Sequence, residues 1–316
     1  MSGGDAKLDW VEHYLDGLAT GRQLSPHTIG AYRRDLLELA TLAGAAGWDG
    51  LGHFDIRRFT ARLHAQGLDP RSIARKLSSW RGFFGWLALE IGLASNPVEG
   101  VRAPRRAKTL PKALSVDDAV QLVGGGAHAA GHPEPPALCN RAMFELMYSS
   151  GLRVSELAGL DVHYTRAAGA APGSLGWIDL DAGEVMVTGK GGKRRSVPVG
   201  SHALAALRAW LAVRPAPLAA AGNALFLSQR GSRMTPRVVQ LRMKTFARLA
   251  GTSVDVHPHV LRHSFASHVL QSSGDLRAVQ ELLGHASITS TQVYTALDFQ
   301  HLAAVYDKAH PRAKSK

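Results

Sequence analysis

The stretch His257-Pro-His-Val-Leu-Arg-His-Ser-Phe-Ala-Ser-His268 concentrates groups that bind phosphate. Two more reactive positions follow it: His285, in Leu-Leu-Gly-His, and Tyr294, in Thr-Gln-Val-Tyr. His259 and Arg262 are three apart, so on a helix they share one face. Arginine forks match two phosphate oxygens at once. The Tyr294 phenol is the candidate nucleophile. Its reference pKa of ~10 leaves it neutral at pH 7, and neighbouring cations lower that value by favouring the phenolate. Guanidinium and imidazole groups together could stabilise the crowded, highly charged transition state of attack at phosphorus, without a metal. The product would be a tyrosyl phosphodiester. One diester replaces another, so the step is reversible.

These side chains need helices to hold them. Leu261, Phe265 and Val269 recur at four-residue spacing and predict a helix anchored in a core. Pro258 suits its first turn, where the missing N–H is not needed. A second helix is expected from Asp275 as N-cap to Gly284 as the residue past its end. That places His285 just beyond a helix terminus. Upstream, Arg141 to Ser150 reads as an apolar helix leading into Gly151-Leu-Arg153. Trp177 to Leu180, Glu184 to Thr188 and Ser196 to Val199 read as strands, with Gly189 to Arg195 as a glycine-rich turn. Helices follow at Ala203–Val213 and Arg237–Ala250. The Ala/Gly-rich segment from Tyr164 to Gly176 reads as a surface insertion. Ser115 with Asp118 resembles a capping box.

Residues 5 to about 95 read as helices alone. Leu8, Val11, Leu15 and Leu18 form one stripe, and Ile29, Tyr32, Leu36 and Leu39 another behind the Ser25-Pro26 start signal. Asp55 to Gln66 is expected to be a third helix. Ile73, Leu77, Trp80, Phe84, Leu87 and Ile91 mark a fourth, with its aromatics in the core. Four helices with short links make a small bundle. The other face of the fourth helix carries Arg71, Arg75, Lys76 and Arg81, a candidate DNA-contacting surface. Arg102 to Lys112 is too rich in proline and charge for an element interior, and reads as a basic linker.

The chain has 316 residues, enough for two domains. Lys and Arg exceed Asp and Glu by 37 − 25 = 12, and the pI is near 10.2, which points to a polyanionic partner. Cys139 is the only cysteine, which excludes a disulfide framework and a cysteine-rich zinc module. No apolar run approaches the ~20 residues of a membrane span, so no membrane partner is expected. The first residues lack a signal-peptide core, and a cytoplasmic location is expected.

The pattern H-x-x-R-H, L-L-G-H and Tyr, with Gly-Leu-Arg153-Val-Ser-Glu156-Leu upstream, resembles the tyrosine recombinase (phage integrase) family. The tail from Leu297 to Lys314 is similar to the Xer branch, to its C-type more than its D-type members. The resemblance covers nearly the whole chain. It implies a mainly α fold with an N-terminal helical bundle of the SAM-like core-binding type over residues 1–100. A basic linker over 101–112 and a mostly helical catalytic domain with a small antiparallel sheet over 113–316 would follow. By resemblance, Arg153 and Arg262 clamp the scissile phosphate, and Lys190 protonates the leaving 5′ oxygen. Lys190 fits that position better than Lys193 of the same loop. His259 is the acid/base histidine, His285 the last phosphate-binding position and Tyr294 the nucleophile. Glu156 is a supporting acid. His263 and His268 are left as packing or hydrogen-bonding residues. Ala296 departs from the histidine of many relatives, outside the matched set.

The resemblance further implies double-stranded DNA at a dif-type site as substrate. It implies a XerD-like recombinase in a heterotetramer, an FtsK-like translocase as activator, and neither cofactor nor metal. Its biological setting would be resolution of chromosome dimers. The last helix, around Leu302, Val305 and Tyr306, would dock on a neighbouring subunit; without the resemblance, the ordinary reading of its apolar stripe is a helix packed at home. Tyr294 is expected to sit away from the attacking position without DNA. Two rivals come from other classes. His259 and His263, four apart, have a metal-ligand spacing, but Val260 stands where a zincin needs glutamate. A DNA-binding protein without catalysis would share the charge and the helices, and leave the six matched side chains unexplained.

Overall fold

Ser25 and Asp275 start helices where the sequence places them, whereas the helix expected from Arg141 begins six residues earlier, at Pro135. The computed structural model describes residues 3–21, 24–105, 113–124, 134–167, 173–189, 192–218, 221–249, 256–284 and 304–313. Contacts divide the chain into two units, Met1–Thr109 and Leu110–Lys316.

The first unit holds α1 (Gly3–Thr20), α2 (Pro26–Ala43), α3 (His53–Ala65) and α4 (Pro70–Ile91). Ser25 caps α2 by accepting from the Thr28 N–H at 3.2 Å, and Asp69 caps α4 by accepting from the Arg71 N–H at 2.8 Å. α3 starts two residues before the expected Asp55, whose carboxylate accepts from the Gly52 N–H at 3.0 Å. The expected stripes meet in one core of Val11, Leu15, Leu36, Leu39, Ile56, Phe59 and the α4 residues. Trp80, Phe83 and Phe84 are fully enclosed, so the α4 aromatics are core groups. The stripe ends, Leu8 and Ile91, lie at the surface.

Three cations of the basic α4 face have partners within the bundle. Asp35 is buried, and a buried carboxylate needs counter-charge. Lys76 supplies it at 3.1 Å and also pairs with Glu38, while Arg75 pairs with Asp35 as well. Arg81 donates to the Val101 carbonyl at 3.0 Å. Lys76 and Arg75 thereby tie α4 to α2 and Arg81 ties it to the exit from the bundle, while Arg71 and Arg75 remain exposed.

The second unit begins with α5 (Val116–Gly124), where the Ser115 hydroxyl accepts from the Asp118 N–H at 3.0 Å. α6 (Pro135–Ser150) is buried almost throughout its second half and packs against α8 (Ser201–Val213) and α10 (Pro258–Ser273). α7 (Val154–Ala158) is one short turn. β1 (Leu160–Asp161), β2 (Gly176–Asp179), β3 (Glu184–Thr188) and β4 (Arg194–Pro198) form one sheet in that order. β2, β3 and β4 pair antiparallel as expected; β1 adds a two-residue parallel edge. α9 (Pro236–Leu249) and α11 (Leu276–Leu283) complete the elements, and residues 304–309 are helical.

The ends of the Ala/Gly-rich segment are pinned to this sheet. Ser174 donates to Asp161 at 2.5 Å, and the Tyr164 ring lies 4.8 Å from that of Trp177. Near the C-terminus, Tyr306, Ala309 and Ala313 are buried in the core of their own unit. The Tyr306 hydroxyl is 2.6 Å from Ser149 Oγ, and Arg312 pairs with the enclosed Glu145, with Nε 2.7 Å from Oε2. In this structure the segment packs at home.

Candidate active site

Three arginines meet at the end of α11. That helix starts at the Asp275 cap, which accepts from the Ala278 N–H at 2.9 Å, and stops at Gly284 with φ 62°. A helix leaves its last carbonyls without intrahelical donors and carries partial negative charge there. Here three successive carbonyls each take a guanidinium. Arg195 Nε donates to Leu282 O at 3.0 Å, Arg262 Nη2 to Leu283 O at 2.6 Å, and Arg153 Nη2 to Gly284 O at 3.3 Å.

Each arginine comes from a different element. Arg153 is the N-cap of α7, following the left-handed Gly151 that ends α6. Arg262 projects from α10, whose Leu261, Phe265 and Val269 are fully buried as their spacing predicts. Its Nη1 donates to the Gly151 carbonyl at 2.6 Å, tying α10 to the end of α6. Arg195 lies on β4 at an inward position, two before the enclosed Val197.

Glu156 joins two of them. Its Oε1 accepts from Arg153 Nη1 at 2.8 Å and Arg195 Nη1 at 2.9 Å. Its Oε2 accepts from the Arg153 N–H at 2.8 Å and Arg195 Nη2 at 2.9 Å. Burial on its own would raise the Glu156 pKa; hydrogen bonds and charge from Arg195, then Arg153, outweigh it and hold the carboxyl below its usual range. Burial, with Arg153 and Arg195 nearby, lowers the Arg262 pKa to about 10, which leaves it cationic at pH 7.

His259 stands on the exposed side of the first turn of α10. Partial burial first, then His257, Arg262 and Arg153, lower its pKa, so the ring is neutral at pH 7. The ring of His257 is 6.1 Å away. Thus Arg153, Arg262, His259 and Glu156 converge as one group. Lys190, His285 and Tyr294 lie outside the described residues. His268 is buried between the Tyr148 hydroxyl and the Leu114 carbonyl, each at 2.9 Å, as a hydrogen-bonding residue. His263 is exposed instead of packed, because its position on α10 points away from the core.

Arg195 was not among the expected site residues. Reading Gly189 to Arg195 as a turn hid it. The strand begins at Arg194, and the alternation from Arg195 to Val197 then marks an inward arginine, which demands a buried acid.

Residues 114–301 match the phage integrase family, and residues 11–90 match the phage integrase N-terminal SAM-like domain. The chain belongs to the phage integrase family and is a site-specific tyrosine recombinase. Within that family it is similar to XerC. It is 58% identical over 313 residues to tyrosine recombinase XerC 1 of Ralstonia nicotianae, covering 96% of this chain and 93% of that one. It is 55% identical to tyrosine recombinase XerC of Ralstonia pickettii, covering 99% and 97%. Among solved structures, the fold is similar to the Tn1549 transposon integrase in complex with transposon right end DNA. The TM-score is 0.67 at 17% identity, over 92% of this chain and 97% of that one. It is also similar to XerH bound to a palindromic difH substrate, with TM-score 0.64 at 21% identity, over 90% and 81%. No helix among the described residues is long and apolar enough to cross a membrane.

Proposed function

We propose that the chain cuts and rejoins double-stranded DNA through a 3′-phosphotyrosyl intermediate. The Tyr294 phenol oxygen attacks phosphorus, and the bond to the 5′ oxygen breaks. His259 takes the phenol proton, and Lys190 gives one to the departing 5′ oxygen. Arg153, Arg262 and His285 bind the non-bridging oxygens. Attack by a 5′ hydroxyl of another strand reverses the step and joins DNA in a new order.

The observation that carries this reading is the placement of Arg153 and Arg262 on neighbouring carbonyls at the α11 terminus, next to which His285 follows in sequence. Three guanidiniums against the single Glu156 carboxylate leave a local excess of 3 − 1 = 2 positive charges. That excess suits a phosphodiester gaining charge as it is attacked. Neutral His259 suits a proton acceptor.

The likeness to XerC supports a finer reading. The substrate is a dif-type site, and the partner is a XerD-like recombinase, with two copies of each on paired sites. An FtsK-like translocase activates the assembly, which resolves chromosome dimers in the cytoplasm. Residues 1–100 grip the duplex, residues 101–112 link, and residues 113–316 carry the chemistry. A plasmid bearing two directly repeated dif-type sites tests it. Purified chain with a XerD-like partner and an FtsK-like translocase should excise the intervening segment, and the chain or partner without the other should not. Excision from plasmids with scrambled sites, or none under any pairing, contradicts it.

A further inference from the structure

Among the described residues, Arg195 makes its hydrogen bonds to Glu156 and the end of α11, the supports that also hold Arg153. Its two terminal nitrogens each reach a different oxygen of Glu156, at 2.9 Å, and its Nε reaches Leu282 O at 3.0 Å. The side chain is 6% exposed. A carboxylate offers about four acceptor positions. On Glu156 all four are filled, two by Arg195 and two by the backbone and side chain of Arg153. Arg153 therefore spends only Nη1 on the carboxylate, and its side chain remains 33% exposed. Gly284 leaves the space for this arrangement, since a Cβ there would lie 3.1 Å from Arg195 Cδ, Nε and Nη1.

We propose that Arg195 is a positioning residue for Arg153. By occupying half of the Glu156 carboxylate, it prevents Arg153 from folding both nitrogens onto its own neighbouring acid. Arg153 Nη2 is thereby kept off the acid and on the Gly284 carbonyl at 3.3 Å, a long bond that a phosphate oxygen can replace. The bond of Arg195 to Leu282 fixes the same assembly to the end of α11. Removing the Arg195 fork opens two acceptor positions beside a guanidinium with donors to fill them. Arg153 then closes on Glu156 in two-point geometry, which carboxylates favour, and its grip on the scissile phosphate weakens. This inference rests on the proposed role of Arg153.

The test compares wild type, Arg195→Gln, Glu156→Gln and the double variant in single-turnover adduct formation on a nicked duplex carrying a dif-type site. Equilibrium binding of the same duplex is measured alongside. Arg195→Gln should slow adduct formation by about tenfold or more while binding changes by less than about threefold. Glu156→Gln in the same chain removes the competing charge, so the double variant should form adduct faster than Arg195→Gln alone. Loss of a buried ion pair as such acts on folding, so rates are compared per folded molecule, and there a merely structural arginine predicts a double variant no faster than Arg195→Gln. That result, or full activity in Arg195→Gln, overturns the proposal. Arg195→Lys keeps the charge without the fork and should also slow the adduct with binding retained. Full activity there overturns the proposal, as does failure of both variants to fold. Should wild type form no adduct, the chemical reading fails on its own. The positioning claim is then read from a crystal structure of Arg195→Gln: Arg153 donating to both Glu156 oxygens supports it, and an unmoved Arg153 overturns it.

Discussion

Glu156 is buried between two guanidiniums, and its ionisation sets the stability of the site. Its carboxyl is held below the usual range, mainly by Arg195 against the opposing effect of burial. A group with a lowered folded pKa adds stability that is present above its unfolded value and lost as pH falls through the folded one. Glu156→Gln leaves Arg195 enclosed without its counter-charge, and breaking a buried pair costs about 3–5 kcal/mol. We expect that loss in chemical denaturation at pH 7, shrinking in acid once wild-type Glu156 is protonated. An equal loss at pH 7 and at pH 3 would contradict this account. Sequence singled out Glu156 as a supporting acid but not the arginine that holds it. Arg195 is visible only once the strand is begun at Arg194, two residues earlier than glycine and charge suggest.

The helices were legible because their signals are local. Ser25, Asp275 and Gly284 cap where their residue types predict, and the apolar stripes of α4 and α10 face the two cores. α7 and β1 were not legible, being five and two residues long and too short for any periodicity. Tertiary bonds make them: Leu160 O accepts from the Leu225 N–H at 2.9 Å and from Arg233 Nη1 at 3.0 Å. The internal pairing of the basic α4 face was not legible for a related reason. Arg75 and Lys76 are counter-charges to Asp35 and Glu38, and only the fold reveals the pairing. Gly151 shows how tightly α6, α7 and α10 depend on one another. It sits at φ 56°, and an added Cβ would overlap the Phe265 ring. Left-handed strain of about 1–2 kcal/mol and overpacking of about 1–3 kcal/mol predict that Gly151→Ala destabilises by about 2–5 kcal/mol. Thermal unfolding checks this, and a melting temperature unchanged from wild type would refute it.

Each unit carries its own core, and the second is closed by its C-terminal segment. Arg312 inserts against Glu145, whose pKa burial raises and Arg312 only partly pulls back. Arg312→Ala should therefore raise that value further. Between the unfolded and folded values the native state binds more protons, so stability falls as pH rises. The variant should lose more stability at pH 8 than at pH 5, by unfolding in urea; an equal loss at both would show that Glu145 is not the group left uncompensated. Tyr306, His310 and Arg312 tie this segment to α6, the helix that also leads to Arg153. We propose that this frame as a whole serves to activate the Tyr294 phenol. Covalent capture on a nicked duplex carrying a dif-type site, with a XerD-like partner and no added metal, tests it most directly. Wild type should give a detergent-stable adduct on a 3′ phosphate, and Tyr294→Phe should give none while still binding DNA. An adduct that persists in Tyr294→Phe, or binding by wild type with no adduct under any partner condition, would contradict the account.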